Sequence, residues 1–260
     1  MRILRVRYRD YDFYAALGVG ERENELTCLQ SIPGISGPVP LEEATRLPLV
    51  TPSKIICVGL NFRDHAAELS MPLPERPAFF LKPPSALVGD GEAIILPRHA
   101  GRIDYEAELA VIISKGGRRI PLDRAGAHIF GYACANDVTA RDEQKGELMF
   151  GRCKGYDTFC PLGPWIETEM PSPDAFVRTV INGEIRQEGR LRDMIVSPAA
   201  LVSHISEVMT LEPGDVILTG TPRGVGPLRA GDEVRIEIEG LGTLTNPVEW
   251  EAETASPNAD

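Results

Sequence analysis

No uncharged apolar stretch in the 260 residues approaches the roughly 20 residues of a membrane span. The opening Met1-Arg-Ile-Leu-Arg-Val-Arg also lacks the apolar core and cleavage site of a secretory signal. No membrane association is expected. Positive charge is in short supply, with 27 Lys and Arg against 38 Asp and Glu for a net charge of −11. A surface of that sign repels phosphates, so no nucleic acid partner is expected. Paired cysteines are missing too: Cys28, Cys57, Cys134, Cys153 and Cys160 are odd in number and never form a CxxC, and several sit in apolar runs such as Ile55-Ile-Cys-Val. This is the free-thiol usage of a reducing compartment, which points to the cytoplasm and away from a structural zinc site. His65, His99, His128 and His204 are too dispersed to suggest a histidine-rich metal site.

What the chain has in quantity is residues that break regular structure, 25 Gly and 22 Pro. Many short strands and turns are favoured over long helices, and a β-rich α+β fold is expected. The length suits one main domain with a small appendage. Residues 1–50 hold a strand candidate, Ile3–Tyr8, and then a Gly and Pro rich stretch, so they are read as a small N-terminal β-domain. Residues 51–250 are read as the main unit, and residues 251–260 are expected to be a disordered tail.

Lys54–Gly59 has the apolar run of a buried strand, followed by Asn61 as an N-cap in a capping-box-like arrangement with Asp64 and a short helix over 62–69. Three prolines between Met71 and Pro77 prevent that helix from continuing, so helix and loop together read as a mobile cover. Further strands are expected at Ala78–Leu81, Ala93–Leu96, Glu108–Ile113, Tyr132–Val138, Gly214–Thr219, Glu233–Ile238 and Thr243–Asn246, with a helix over Leu122–Phe130. Asn182-Gly183 between Phe176–Ile181 and Glu184–Glu188 is a strong hairpin signal, because both residues accept the positive φ of a type I′ turn. Ser197-Pro198 starts a helix whose buried stripe is read as Leu201, Ile205 and Val208.

Chemistry concentrates at a few points. Glu106 and Glu108 lie two apart on a strand and face the same side, where like charges are relieved by a cation or a shared proton. Taken alone, the pair reads more readily as a solvated strand face. Asp137 in the apolar run Ala133-Cys-Ala-Asn-Asp-Val argues for more, since an unpaired buried carboxylate is costly and a third ligand to a hard ion explains it. His65 and Glu68 stand three apart on the short helix, close enough for the carboxylate to orient an imidazole general base, although a solvated pair has the same spacing. Lys154, in a loop rich in Gly, Tyr and Asp, and Thr221 of Thr219-Gly-Thr-Pro-Arg-Gly are weak signals by themselves. The latter lacks the Gly-Lys-Ser/Thr ending of a phosphate loop.

Taken in order, Gly59-Leu-Asn-Phe-Arg-Asp-His-Ala-Ala-Glu, Phe80-Leu-Lys-Pro-Pro-Ser-Ala-Leu-Val-Gly, Asp104-Tyr-Glu-Ala-Glu-Leu, Asn136-Asp-Val-Thr-Ala-Arg-Asp, Lys154-Gly-Tyr-Asp-Thr-Phe-Cys-Pro-Leu-Gly-Pro and Thr219-Gly-Thr-Pro-Arg-Gly-Val-Gly resemble the fumarylacetoacetate hydrolase family from about Lys54 to Asn246. Gly163-Pro-Trp-Ile, Asn182-Gly-Glu-Ile-Arg-Gln-Glu-Gly and Gly231-Asp-Glu-Val look especially like its bacterial branch, with the isomerase and decarboxylase of homoprotocatechuate breakdown and the acylpyruvases. The resemblance implies a mixed β-sandwich roll with a small N-terminal domain, usually a homodimer. It also implies that Glu106, Glu108 and Asp137 bind Mg²⁺ or Mn²⁺ and that His65 and Glu68 form an acid-base pair on a lid helix. Lys154 would stand near the substrate oxygens, Arg141 and Gln144 would supply polar groups of the pocket, and Thr221 would hold a substrate carboxylate. The expected activity is carbon-carbon bond hydrolysis or decarboxylation of small 2-oxo, acylpyruvate-like acids through a metal-bound enolate. The alternative is isomerisation of a 5-carboxymethyl-2-hydroxymuconate-type diacid. A non-catalytic binding protein of the same fold would be expected to have lost one of Glu106, Glu108, Asp137 or Lys154, and all four are present.

Overall fold

The computed structural model describes residues 1–145 and 150–252, and it is strongly β-rich with short helices. The expected tail at 251–260 falls, from residue 253 on, outside the described residues. Among the described residues a 12-stranded sheet forms the backbone of the molecule. Its central run is Arg2–Tyr8, Cys160–Glu167, Ile129–Asn136, Ala107–Ile113, Val216–Leu218, Ile55–Gly59 and Ala78–Lys82. The first strand pairs antiparallel with Cys160–Glu167, so the N-terminal strands continue this sheet. A five-stranded sheet runs Glu184–Arg190, Phe176–Ile181, Glu233–Ile238, Gly242–Trp250 and Ile94–Leu96. Ile103–Tyr105 joins Thr139–Ala140 and Gly226–Pro227 in a small third sheet.

Ala107–Ile113 lies at the centre, and every residue in it is buried. Its alternation distributes side chains between three cores, as period 2 requires. Leu109 enters a cluster with Val177, Ile236 and Leu244 of the five-stranded sheet. Ala110 and Ile112 join the N-terminal strands through Leu4 and Val6. Val111 and Ile113 meet Leu201 and Ile205 of the helix Pro198–Val208. Among the described residues no helix is long and apolar enough to cross a membrane.

The hairpin forms as the sequence indicates, with Asn182 at φ 52 and Gly183 at φ 85 between the paired strands. Ser197 caps its helix by accepting from Ala200 N, with Pro198 in the first turn. Other expectations are corrected by tertiary demands. Asn61 does not cap the short helix Arg63–Glu68, whose N-cap is Phe62 without a side-chain bond. Its amide instead donates to Val196 O and Thr219 O and accepts from Val196 N, tying three segments together. The helix expected over 122–130 stops at Ala125 and tightens through Gly126–His128, because Ile129 is taken into the ladder opposite Ile113. Val208 is 56% exposed. The buried face of that helix is turned toward Val202 and Ser206, where Ser206 accepts from Ile120 N and Ser203 donates to Ile120 O.

Candidate active site

Glu106 stands in the break between Ile103–Tyr105 and Ala107–Ile113, which belong to different sheets, and Glu108 follows on the second strand. The strand Ile129–Asn136 pairs antiparallel beside it, with Ala107 opposite Asn136, so Asp137 emerges past the end of the ladder next to both glutamates. One carboxylate oxygen from each of Glu106, Glu108 and Asp137 lies within 4.8 Å of the others. At 6%, 1% and 2% exposure these are buried side chains, which removes the solvated-strand reading.

Such a cluster cannot carry three free charges. Lys154 Nζ donates to Glu106 Oε2 at 2.8 Å and to Asp137 Oδ2 at 2.6 Å. Arg141 Nη2 donates to Glu106 Oε1, while its Nε reaches Asp104 Oδ2 at 2.9 Å and its Nη1 reaches Gln144 Oε1 at 3.0 Å. Burial pushes the Glu106 carboxyl up, but the Lys154 and Arg141 charges outweigh it and hold the group down at about 2. Burial, Asp137 and Glu106 push Glu108 well above the usual carboxylate range, although its Oε2 accepts from Gly220 N at 2.6 Å. Burial disfavours the Lys154 ammonium, yet Asp137 and Glu106 raise it above its ordinary value, so it stays charged.

Lys82 was not singled out from the sequence, and it completes the cluster. Its ammonium is buried and donates to Asp137 Oδ1, Val138 O (3.1 Å) and Phe159 O (2.5 Å). The cost argument that marks Asp137 would have found it, since a lysine closing the strand Ala78–Lys82 has the same need for a buried partner. Gln187 was also missed. Its amide donates to Thr221 Oγ1 and Pro222 O, and its Oε1 accepts from Ala107 N.

A cavity of about 940 Å³ opens over this cluster, lined by Glu106, Glu108, Asp137, Lys154, Arg141, Gln144, Thr221 and His65 among others. The structure thus brings together every residue flagged from the sequence except Glu68, which stands behind the wall. Glu68 Oε2 lies 3.0 Å from His65 Nδ1, and its Oε1 accepts from Gly224 N at 3.1 Å, so it links the short helix to the loop after Thr221. Thr221 donates its hydroxyl hydrogen to Ala107 O.

Three oxygen donors that converge in a buried pocket, one of them resisting ionisation for want of a counter-charge, fit a hard divalent cation. Three of the five cysteines are poor nucleophiles: burial pushes Cys134 and Cys160 up to about 12 and Cys57 well above the ordinary thiol range, which leaves them protonated.

A β-roll that gathers a carboxylate triad, a buried lysine and a histidine in one cavity, that histidine bonded to a glutamate outside it, defines an enzyme with a cluster able to hold a divalent metal. The family model for the fumarylacetoacetate (FAA) hydrolase C-terminal region matches residues 54–249, and the chain belongs to that family. Oxaloacetate tautomerase YisK of Bacillus subtilis is 44% identical over 217 residues, covering 77% of this chain and 71% of its own. The crystal structure of 5-carboxymethyl-2-hydroxymuconate delta-isomerase from Mycobacterium smegmatis superposes with a TM-score of 0.86 at 43% identity, covering 97% of this chain and 100% of its own. Maleylpyruvate hydrolase from Sphingobium sp. SYK-6, solved with manganese(II) and pyruvate, gives a TM-score of 0.78 at 30% identity, with 97% and 100% covered.

Proposed function

We propose that this chain is a Mg²⁺- or Mn²⁺-dependent enzyme that hydrolyses a carbon-carbon bond in small acylpyruvate-like 2-oxo acids, with decarboxylation of oxaloacetate as a reaction open to the same site. The observation that carries this reading is that Glu106, Glu108, Asp137, Lys154 and His65 all line one cavity. Glu106, Glu108 and Asp137 would hold the divalent ion, which when bound would supply Lewis-acid stabilisation for negative charge developing beside the carbonyl of a 2-oxo acid.

The chain's own groups do the rest. With Nδ1 held by Glu68, His65 has its second nitrogen free to take a proton from water, and an imidazole suits that near neutral pH. The water oxygen joins the distal carbonyl carbon, and the bond from that carbon to the neighbouring one breaks. The electron pair remains on the pyruvate fragment as an enolate, which His65 reprotonates. Lys154, fixed by two carboxylates and always charged, stabilises that negative charge where it appears. Arg141 and Gln144 brace each other at the wall and orient the acid head group. Thr221, whose hydroxyl is held between Gln187 and Ala107 O, lines the same cavity and would hold the substrate carboxylate.

A proton shuttle through His65 would serve isomerisation or keto-enol tautomerisation equally, and the names of the Bacillus and Mycobacterium relatives support that as the second reading. We further place the enzyme in the cytoplasm as a homodimer, with residues 1–50 as a structural unit; no residue before Val58 lines the cavity. Initial rates on acylpyruvates, oxaloacetate and muconate-type isomers, each with Mg²⁺ and Mn²⁺, test the function. Release of pyruvate from an acylpyruvate supports the hydrolase, whereas double-bond migration without cleavage selects the second reading.

A further inference from the structure

Besides its charged cluster, the cavity has a wall of large apolar side chains. Beside Lys154 the wall turns apolar at once: its Nζ lies 5.2 Å from the centre of the Phe80 ring, and that ring meets Phe150 edge-on with centroids 5.2 Å apart. From there Leu69, Met71 and Leu73, carried by the segment that follows the short helix, complete the wall. These three and Phe150 are large apolar side chains left 37–52% exposed, an arrangement that calls for an apolar occupant.

Among the described residues four cations line the cavity; Lys154 and Arg141 sit in mostly buried ion pairs, while Arg102 and Lys145 pair at the exposed rim. Lys154 is bonded to Glu106 and Asp137, Arg141 to Asp104 and Glu106, Arg102 to Asp104, and Lys145 to Asp142. Along the apolar segment the charged lining residue is Glu75, whose sign repels an anion. A distal carboxylate seated against the Leu69–Leu73 segment and Phe80 would lie among leucine, methionine and phenylalanine, with Glu75 as the charged neighbour on that segment. The space is also generous for a four-carbon acid, since cavities of roughly 300–1,000 Å³ take drug-sized ligands.

We infer that the substrate is a 2-oxo acid whose distal group is an apolar chain or ring, seated between Phe80, Phe150 and the Leu69–Leu73 segment. The inference rests on the acylpyruvase reading for the reaction, but the binding preference stands without it. Two measurements test it. In the first, kcat/KM is compared with Mn²⁺ across acetyl-, butanoyl-, pentanoyl- and hexanoylpyruvate and for succinylpyruvate, which ends in a carboxylate. A gain of about fourfold per added methylene is expected from apolar burial, with pentanoylpyruvate at least about tenfold better than succinylpyruvate. Equal or better turnover of succinylpyruvate overturns the inference.

In the second, calorimetry with Mg²⁺ present compares 2-oxooctanoate with 2-oxopimelate, a monoacid and a diacid of similar length. Tighter binding of the monoacid is expected, and equal or weaker binding overturns the inference even if no acylpyruvate is cleaved; absence of cleavage alone would defeat only the hydrolase reading. Leu73→Lys supplies the missing cation and should shift the binding ratio toward 2-oxopimelate by at least about tenfold. An unchanged ratio in this variant would remove Leu73 from the distal wall and overturn the seating proposed here.

Discussion

Lys82 and Asp137, 55 residues apart in the chain, form an ion pair from which water is almost wholly excluded, with side-chain exposures of 0% and 2%. Lys82 holds Oδ1 of the carboxylate while Lys154 holds Oδ2. Asp137 is thereby fixed in plane and orientation before any ligand arrives, at the point where the strand Ile129–Asn136 releases the chain.

Breaking that pair should be expensive. Lys82→Met leaves one carboxylate oxygen and two backbone carbonyls, Val138 O and Phe159 O, without their donor. A loss of about 3–5 kcal/mol is expected, the usual cost of removing one partner from a buried pair. Urea unfolding of the variant measures it, and a midpoint unchanged from the parent would show that the pair contributes nothing to folding.

Metal linkage follows from the convergence of Glu106, Glu108 and Asp137. An ion that binds the folded chain alone stabilises it by mass action, so Mg²⁺ or Mn²⁺ should raise the melting temperature of chelator-treated protein. Glu108→Gln removes one donor and should abolish most of that gain. A gain of full size in the variant would place the ion elsewhere.

Acid stability is set in part by Glu106. Its carboxyl lies at about 2 in the folded chain, against an ordinary value of 4.5. The folded state therefore binds fewer protons than the unfolded state between these values, and the corresponding stability is complete above pH 4.5 and lost as pH falls toward about 2. The shift corresponds to about 3 kcal/mol. In metal-free protein Glu106→Gln should flatten the acid limb of the stability curve in that window, as read by denaturant unfolding at successive pH values; an acid limb of unchanged steepness would contradict the assignment.

His65 and Glu68 should separate the reactions that share the pocket. Hydrolysis needs a deprotonated water, whereas loss of carbon dioxide from oxaloacetate needs no nucleophile. His65→Ala and Glu68→Gln are expected to lower acylpyruvate hydrolysis by about a hundredfold or more while retaining much more of any decarboxylase activity. Equal losses in both assays would mean that the pair only orders the short helix against Gly224, where Glu68 is also anchored.

Short-range signals were legible in the sequence where the deciding interactions are short-range. Asn182-Gly183 dictates its turn through the φ angles it accepts, and Ser197-Pro198 dictates a helix start through a cap three residues away. The need of Asp137 for a buried partner was legible as well, because a carboxylate in an apolar run announces that need wherever the partner lies. Asn61 went the other way: its local pattern suits a cap, and three long-range hydrogen bonds outweighed that single local one. Likewise, the helix expected after Leu122 yielded to the ladder that pairs Ile129 with Ile113.

Residue types and spacing by themselves indicated a β-rich frame and an Asp137 in need of a partner, while the grouping of Glu106, Glu108 and Asp137 and the pairing of His65 with Glu68 came from the family resemblance. Only the tertiary structure decided that Lys82 closes the cluster, that His65 lines the cavity while Glu68 does not, and that large apolar side chains share the cavity with the charged cluster. Propensity and periodicity act over a few residues. Which side chains meet across tens of residues is set by strand register and sheet order, which emerge when the whole core packs.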